Sequence, residues 1–154
     1  MTVITHLTME ELDAGLEHIR QAPVDEGILK LIVRRPDTGK REMLEQGELD
    51  LTAGLVGDNW NTRGSAKTED GTGHPEMQLN IMNARAIAHI AQDKERWQLA
   101  GDQLFIDMDI SEENMPPGTQ LSLGTAIIEI TAVPHPGCKK FVERFGLDAM
   151  EWVN

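Results

Sequence analysis

The chain has 154 residues and carries 14 basic against 26 acidic side chains, a formal net charge of −12. An apolar fraction of 40% and a charged fraction of 26% are ordinary for a globular protein, and a chain of this length buries roughly 70% of its unfolded surface as one domain. The negative charge argues against nucleic acid as a partner, because binding to phosphate backbones requires a basic face.

The sequence also argues against a membrane protein and a disulfide-stabilised protein. No apolar run approaches the ~18 residues of a membrane helix, and residues 1–11 lack the basic start and apolar middle of a signal peptide. The one cysteine, Cys138, excludes an internal disulfide and a multi-cysteine metal site. We therefore expect a single domain over residues 1–154, located in the cytoplasm.

Start signals for a helix stand near the N-terminus. Thr8 and Glu11 have the spacing of a capping box, and apolar residues recur at helical spacing from Leu12 to Ile19. Pro23 ends the pattern. This predicts a packing helix over about residues 9–21, to which we assign no chemistry.

Strand patterns dominate the rest of the chain. The β-branched run 28–33 ends in turn residues 36–39, and residues 41–51 alternate weakly enough to form the second arm of a hairpin. Further runs of strand character follow at residues 78–82, 104–110, 121–123 and 126–133.

Two local signals refine this pattern. Asn83 is placed to cap a helix over residues 84–91 with Ile87 and Ile90 inward. Gly124-Thr125 suits a two-residue hairpin turn with glycine first, and a bulge at Gly124 is the alternative. Short strands with few helices predict a β-rich α+β domain, built as a curled sheet or a β-barrel.

Residues 57–76 form the longest stretch without apolar periodicity. A loop of this length is uncommon in a compact domain and is often functional. Trp60 needs a place to pack, which favours an ordered loop. We expect the loop to form the rim of a pocket and to become ordered around a ligand, with Asp58 and Arg63 as its polar groups.

Cys138 lies in the most informative segment of the chain. The Pro136-Gly137 turn precedes it, and residues 139–145 predict a short helix that Gly146 ends. At a helix start, unpaired amides and the helix dipole favour an anion. The pattern therefore predicts that the thiol of Cys138 ionises more readily than an ordinary thiol.

The charge distribution around the cysteine supports the same interpretation. No Lys or Arg occurs between Trp97 and Gly137, and then Lys139, Lys140 and Arg144 follow within six residues. An anionic ligand beside the thiolate would explain this local positive charge. The alternative is that the cysteine is a small buried apolar residue, the lysines belong to a solvated helix face, and His135 has a structural role.

Five motifs occur in order in the second half of the chain: Gly101-Asp102, Glu113-Asn114-Met115-Pro116-Pro117-Gly118, Leu123-Gly124-Thr125-Ala126, Glu129-Ile130-Thr131, and Cys138 after a Pro-rich turn. Together they resemble the MOSC domain, the C-terminal domain of molybdenum cofactor sulfurases and its stand-alone relatives. Met82-Asn83-Ala84-Arg85 and Gly57-Asp58 are similar to the small stand-alone branch of this family. The resemblance covers about residues 55–153.

The resemblance implies a MOSC-type β-barrel and a cysteine, Cys138, that carries sulfur as a persulfide or ligates the molybdenum of the molybdenum cofactor (molybdopterin). Asp107 and Asn114 fall in the family's Gly-Asp to Glu-Asn block, and Arg85 falls in its Asn-Ala-Arg stretch. We expect these three residues to line the same cavity. The resemblance and the local charge together suggest the following cofactor-binding residues: Arg85, Asp107, Asn114, His135, Lys139, Lys140, Arg144, Asp58, Arg63 and His74.

The sequence departs from the family in two ways. It ends at Glu151-Trp152-Val153-Asn154, where relatives continue through further strands that complete the barrel. Either this is a short variant, or another chain completes the barrel, or the barrel is left open. If the terminal strands are absent, residues 126–133 would leave an open sheet edge, so we expect a homodimer, or a loop or the helix 9–21 covering the edge. The chain also has no pyridoxal-phosphate domain, so a sulfur-donor protein would have to supply any sulfur.

Three functional hypotheses follow from these residues. The first is a sulfur-carrier or molybdenum-cofactor-binding domain, in which Lys139, Lys140, Arg144 and Arg85 hold the pterin phosphate. The second is non-metal thiol chemistry of Cys138 on a small electrophile. The third is a non-catalytic binding module with an inert structural cysteine. Whether the protein turns over, as a sulfurtransferase or an oxidoreductase component, or only binds its small-molecule ligand stays open at this point.

Overall fold

The computed structural model describes residues 5–37, 39–60, 74–133 and 139–153, which form an α+β fold. The helices are α1 (Met9–Asp13), α2 (Leu16–Arg20), α3 (Ala84–Ala91), α4 (Lys139–Phe145) and α5 (Leu147–Val153). The strands are β1 (Ile28–Arg34), β2 (Glu42–Leu44), β3 (Leu49–Asp50), β4 (Gly54–Leu55), β5 (Ile81–Asn83), β6 (Leu104–Asp107), β7 (Gln120–Leu123) and β8 (Ala126–Glu129). Short 3₁₀ helices cover Pro75–Met77 and Lys94–Ala100. None of the described helices is long and apolar enough to span a membrane.

The strands form one four-stranded sheet and two ribbons. The sheet has the order β2-β1-β6-β5, in which β1 is antiparallel to β2 and β6, and β5 is parallel to β6. The pairs β3–β4 and β7–β8 are antiparallel ribbons. Within the described ranges no sheet closes into a barrel. The parallel strands β5 and β6 need a crossover connection, and α3 with the 3₁₀ helix Lys94–Ala100 provides it.

The sheet separates two hydrophobic cores. Phe105 of β6 and Val33 of β1 face the core on the helix side, where they pack with α3, α4 and α5. Leu104 and Ile106 face the opposite core, where Leu55 and Met115 complete the buried cluster. The alternation along β6 follows from the two-residue period of a strand, and both faces of the sheet are covered.

Several local predictions are confirmed. Asn83 caps α3 by accepting from the Ala86 amide at 2.9 Å, and Ile87 is fully buried beneath it. The β7–β8 hairpin turns at Gly124-Thr125, where Gly124 has a φ of +57°. Residues 42–44 return beside β1 as the expected second arm. These features depend on hydrogen bonds and dihedral angles within a few residues, which explains why the sequence predicts them.

The predicted helix over residues 9–21 is divided into α1 and α2. The capping box is present, since the Glu11 amide donates to the Thr8 hydroxyl and the Glu11 carboxylate accepts from the Thr8 amide. The break occurs at Gly15, where an added Cβ would lie 2.6 Å from the His89 ring. Nε2 of His89 lies 2.8 Å from the carbonyl oxygen of Glu11. The Gly15 amide donates to the carbonyl of Leu12, so His89 contacts the Glu11 carbonyl that would accept from Gly15 in a continuous helix.

The C-terminal part of the chain contains one predicted and one unpredicted helix. The expected helix at residues 139–145 is present as α4, with Phe141 and Phe145 buried. Gly146 follows with a φ of +97°, and the chain then continues into α5. Both helices pack on the helix-side core, where Ala149 of α5 is also buried.

Candidate functional site

Several residues that the sequence suggested for the site lie outside the described residues. They are Cys138, His135 and Arg63, together with the Pro136-Gly137 turn and most of the predicted rim loop. The structure does describe the segment that follows the cysteine. Helix α4 begins at Lys139, so its first residue directly follows Cys138 in the sequence.

A small basic cavity lies against α4. Lys140 and Arg144 are four residues apart on this helix, and they line a cavity of about 150 Å³ together with Arg35 and Arg41. Asp37, Gly39 and Asn59 complete the described lining. Four cationic side chains against one carboxylate make this a positive site on a protein whose net charge is −12. The arrangement suits a small anion such as a phosphate group.

Asp58 holds Arg35 in place. Its Oδ1 accepts from Nε of Arg35 at 3.0 Å and from the Arg35 backbone amide at 2.7 Å, and its Oδ2 accepts from Nη2 at 3.0 Å. The Asp58 side chain is fully inaccessible to solvent. Burial by itself raises its pKa, but the hydrogen bonds and positive charge of Arg35 outweigh burial and hold the pKa below its ordinary value. Asp58, which the sequence suggested as a cofactor-binding residue, therefore fixes the orientation of the Arg35 side chain.

Two further buried polar residues stand behind this pair. Gln103 is fully buried, and its Nε2 donates to Gln78 O at 3.2 Å and to Oδ2 of Asp58 at 3.4 Å. Asp102 is 3% exposed, and burial raises its pKa to about 7 although the charge of Arg35 lowers it. Asp102 belongs to the Gly101-Asp102 motif, and that motif was the signal in the sequence that could have marked it.

Backbone carbonyls hold two of the other cations. Nη1 of Arg144 donates to Leu99 O at 2.8 Å, and Nε of Arg41 donates to Gln98 O at 3.1 Å. Both acceptors belong to the 3₁₀ helix Lys94–Ala100, so one short element orients both guanidinium groups. Neither Arg35 nor Arg41 was among the predicted site residues, because only the tertiary fold brings them to α4.

Arg85 and Asp107 form an ion pair, but neither residue lines the described part of the basic cavity. Nε of Arg85 lies 2.7 Å from Oδ1 of Asp107, and Nη1 of Arg85 donates to His18 O at 2.9 Å. Asp107 is at the end of β6, whereas Gln103 and the basic cavity are at its beginning. Four residue steps of extended strand separate Gln103 from Asp107 by about 13 Å, so this ion pair joins α3, β6 and α2 at the far end of the sheet.

The remaining predicted residues have local contacts of their own. Nδ2 of Asn114 donates to Asp109 O at 2.7 Å and to Val24 O at 2.9 Å, which ties the segment after β6 to the segment before β1. Nδ1 of His74 accepts from the Glu76 amide at 3.2 Å and caps a 3₁₀ helix. Lys139 is exposed on α4 and is absent from the described lining of the cavity.

Two further observations bear on the site, namely possible metal ligands and similarity to known proteins. In the ranges that the structure describes, no group of three or more His, Cys, Asp or Glu side chains is arranged to hold a metal ion. The chain matches no protein-family model, no curated protein and no solved structure.

Proposed function

We propose that this protein is a MOSC-type domain that binds the molybdenum cofactor, with the cofactor's phosphate in the basic cavity and Cys138 as the sulfur carrier or the molybdenum ligand. The observation that carries the proposal is the cavity itself. Four cations surround it, and two of them belong to the helix that begins directly after Cys138.

The residues fit such a group. A thiolate is a soft ligand of the kind that suits a transition metal, and Cys138 could supply one such ligand to a metal held by an organic cofactor. Guanidinium groups present a planar fork of donors that matches the oxygens of a phosphate. When bound, the cofactor supplies a molybdenum centre that can exchange sulfur or electrons.

The protein's own residues would bind and orient the anion. Arg35 is fixed by Asp58, and Arg41 and Arg144 are fixed by backbone carbonyls, so three guanidinium groups are already ordered before a ligand arrives. Pre-ordered donors lose less conformational entropy on binding. The Lys140 ammonium is on the exposed face and would add a fourth contact from α4.

The two neighbouring lysines of α4 provide a matched test of this role. Lys140 lines the cavity and Lys139 does not, although both are exposed residues of the same turn. We expect saturable binding of inorganic phosphate by calorimetry, about three- to fivefold weaker in Lys140→Gln and unchanged in Lys139→Gln. No saturable binding, or an equal effect of both substitutions, would contradict the proposal.

A second experiment addresses the cysteine and the cofactor. The protein should be expressed with molybdate and studied intact for bound pterin, molybdenum and a persulfide on Cys138, with Cys138→Ser as the control. Molybdenum or persulfide that is lost in Cys138→Ser supports the proposal. A reactive thiol with neither would favour non-metal thiol chemistry, and an unreactive thiol would favour the binding module.

A further inference from the structure

The basic cavity has a buried carboxyl group beside it. Asp102 is 3% exposed and directly precedes Gln103, whose side chain reaches the carboxylate of Asp58. Asp102 also lines the open cleft that includes Arg35 and the three other cations of the cavity. A charge change on Asp102 would therefore be felt at the cavity through a poorly solvated region.

The net positive charge around the cavity is small, so one proton on Asp102 changes it by a large fraction. Among the described residues, the charged groups that line the cavity are Arg35 directly after β1, Asp37 and Arg41 from the following segment, and Lys140 and Arg144 from α4, and Asp58 pairs with Arg35 from behind. The charge balance is taken over this described set and Asp102. With Asp102 protonated, the cations outnumber the carboxylates by two. With Asp102 ionised, they outnumber them by one, so the local positive charge is halved.

Resting on the proposed anion-binding function of this cavity, we propose that Asp102 makes the binding of a phosphate-like dianion proton-dependent: protonated Asp102 permits tight binding, and ionised Asp102 weakens it. Burial raises the pKa of this carboxyl to about 7, which brings the change into the neutral range. A change of one unit charge beside a partly buried anion site changes the affinity by about tenfold.

Sulfate is the appropriate probe because its charge is constant between pH 5.5 and 8.5. Calorimetric titration should give about tenfold weaker binding at pH 8.5 than at pH 5.5. Asp102→Asn should lose most of this difference and keep the tight affinity at pH 8.5. All other ionisable groups are the same in the two proteins, so the difference between them reports on Asp102 alone.

Asp37→Asn is the matched control. It removes an exposed carboxylate from the rim of the cavity, so it should raise sulfate affinity by a similar factor at both pH values. Equal pH dependence in the unmodified protein and in Asp102→Asn would overturn the inference while leaving anion binding intact. No sulfate binding at either pH would overturn the proposed function as well.

A second measurement needs no variant. Because linkage is reciprocal, saturating sulfate should raise the titration midpoint of the Asp102 carboxyl by about one pH unit if protonation changes the affinity tenfold. Carbon-13 NMR of the labelled carboxyl group, with and without sulfate, measures this midpoint in the folded protein. An unchanged midpoint under saturating sulfate would contradict the inference.

Discussion

Asp58 and Arg35 form a two-point ion pair, with Nε and Nη2 of Arg35 each 3.0 Å from a different carboxylate oxygen. The side chains are 0% and 10% exposed. The pair joins the end of β1 to the segment that follows β4. It also fixes the direction in which Arg35 faces the basic cavity, so its loss would affect both folding and the site.

Removing Asp58 should strongly destabilise the protein. Asp58→Ala leaves the buried guanidinium of Arg35 without its carboxylate, which costs about 3–5 kcal/mol of unfolding free energy. Glu42→Ala is the matched control, because it breaks the Arg34–Glu42 pair, whose side chains are 34% and 44% exposed. That exposed pair is worth at most about 1 kcal/mol. Urea unfolding of both variants measures the difference, and equal losses would contradict the assignment.

Asp102 should make stability fall as the pH rises. Its pKa is about 7 in the folded protein against an ordinary 3.8, so between these values the folded state holds a proton that the unfolded state has released. The contribution of Asp102 to the unfolding free energy is therefore fully present below pH 4. It is lost as the pH rises from about 4 through 7.

Asp102→Asn tests this linkage, because an amide cannot ionise. Relative to the unmodified protein, we expect this variant to gain about 3 kcal/mol in unfolding free energy between pH 4.5 and pH 8. Chemical denaturation at the two pH values gives the comparison. A stability difference that stays constant across this range would show that Asp102 does not titrate in the expected window.

The effect of Gly15→Ala on the unfolding free energy distinguishes a continuous helix over residues 9–21 from the divided helix, because the two structures predict opposite signs. In a continuous helix, Gly15→Ala would stabilise the protein by about 0.5–1 kcal/mol. In the observed structure the new Cβ would meet the His89 ring at 2.6 Å, so we expect a loss of about 1–3 kcal/mol. In the His89→Ala background the same substitution should cost much less. Thermal unfolding of the four proteins of this cycle measures the coupling.

The thiol of Cys138 should be unusually acidic. Lys139 and Lys140 follow it directly, and Arg144 lies on the same short helix. We expect iodoacetamide alkylation to have a midpoint near pH 7, against ~8.5 for an ordinary thiol. Lys139→Gln with Lys140→Gln should move the midpoint upward. A midpoint at or above 8.5 in both proteins would identify a structural cysteine.

The β7–β8 ribbon should take part in self-association. Among the described residues no third strand pairs with it, and Ile127 on β8 is 69% exposed. Exposed strand edges favour pairing with another chain, so we expect a dimer by light scattering and a shift toward monomer in Ile127→Glu. A single-chain mass at high concentration, together with rapid amide exchange along β8, would rule this out.

Local features of this protein were readable from the sequence. The Thr8 capping box, the Asn83 cap, the Gly124-Thr125 turn and the helix after Cys138 each depend on residues that are close together in the chain. Their energies come from nearby hydrogen bonds and allowed dihedral angles, so the residue types at those positions are sufficient to predict them. The positive charge that follows Cys138 was visible in the same way.

The site itself was decided by tertiary structure. Arg35 and Asp58 are 23 residues apart, and Arg41 reaches the carbonyl of Gln98 across 57 residues. Arg85 and Lys140, grouped by the sequence as cations, belong to different parts of the molecule because α3 crosses over between the parallel strands β5 and β6. The sequence alone determined where charge is concentrated and where α1, α3 and α4 begin. The sheet order determined which charges share a cavity, because contacts between distant segments depend on how the strands pair and cross over.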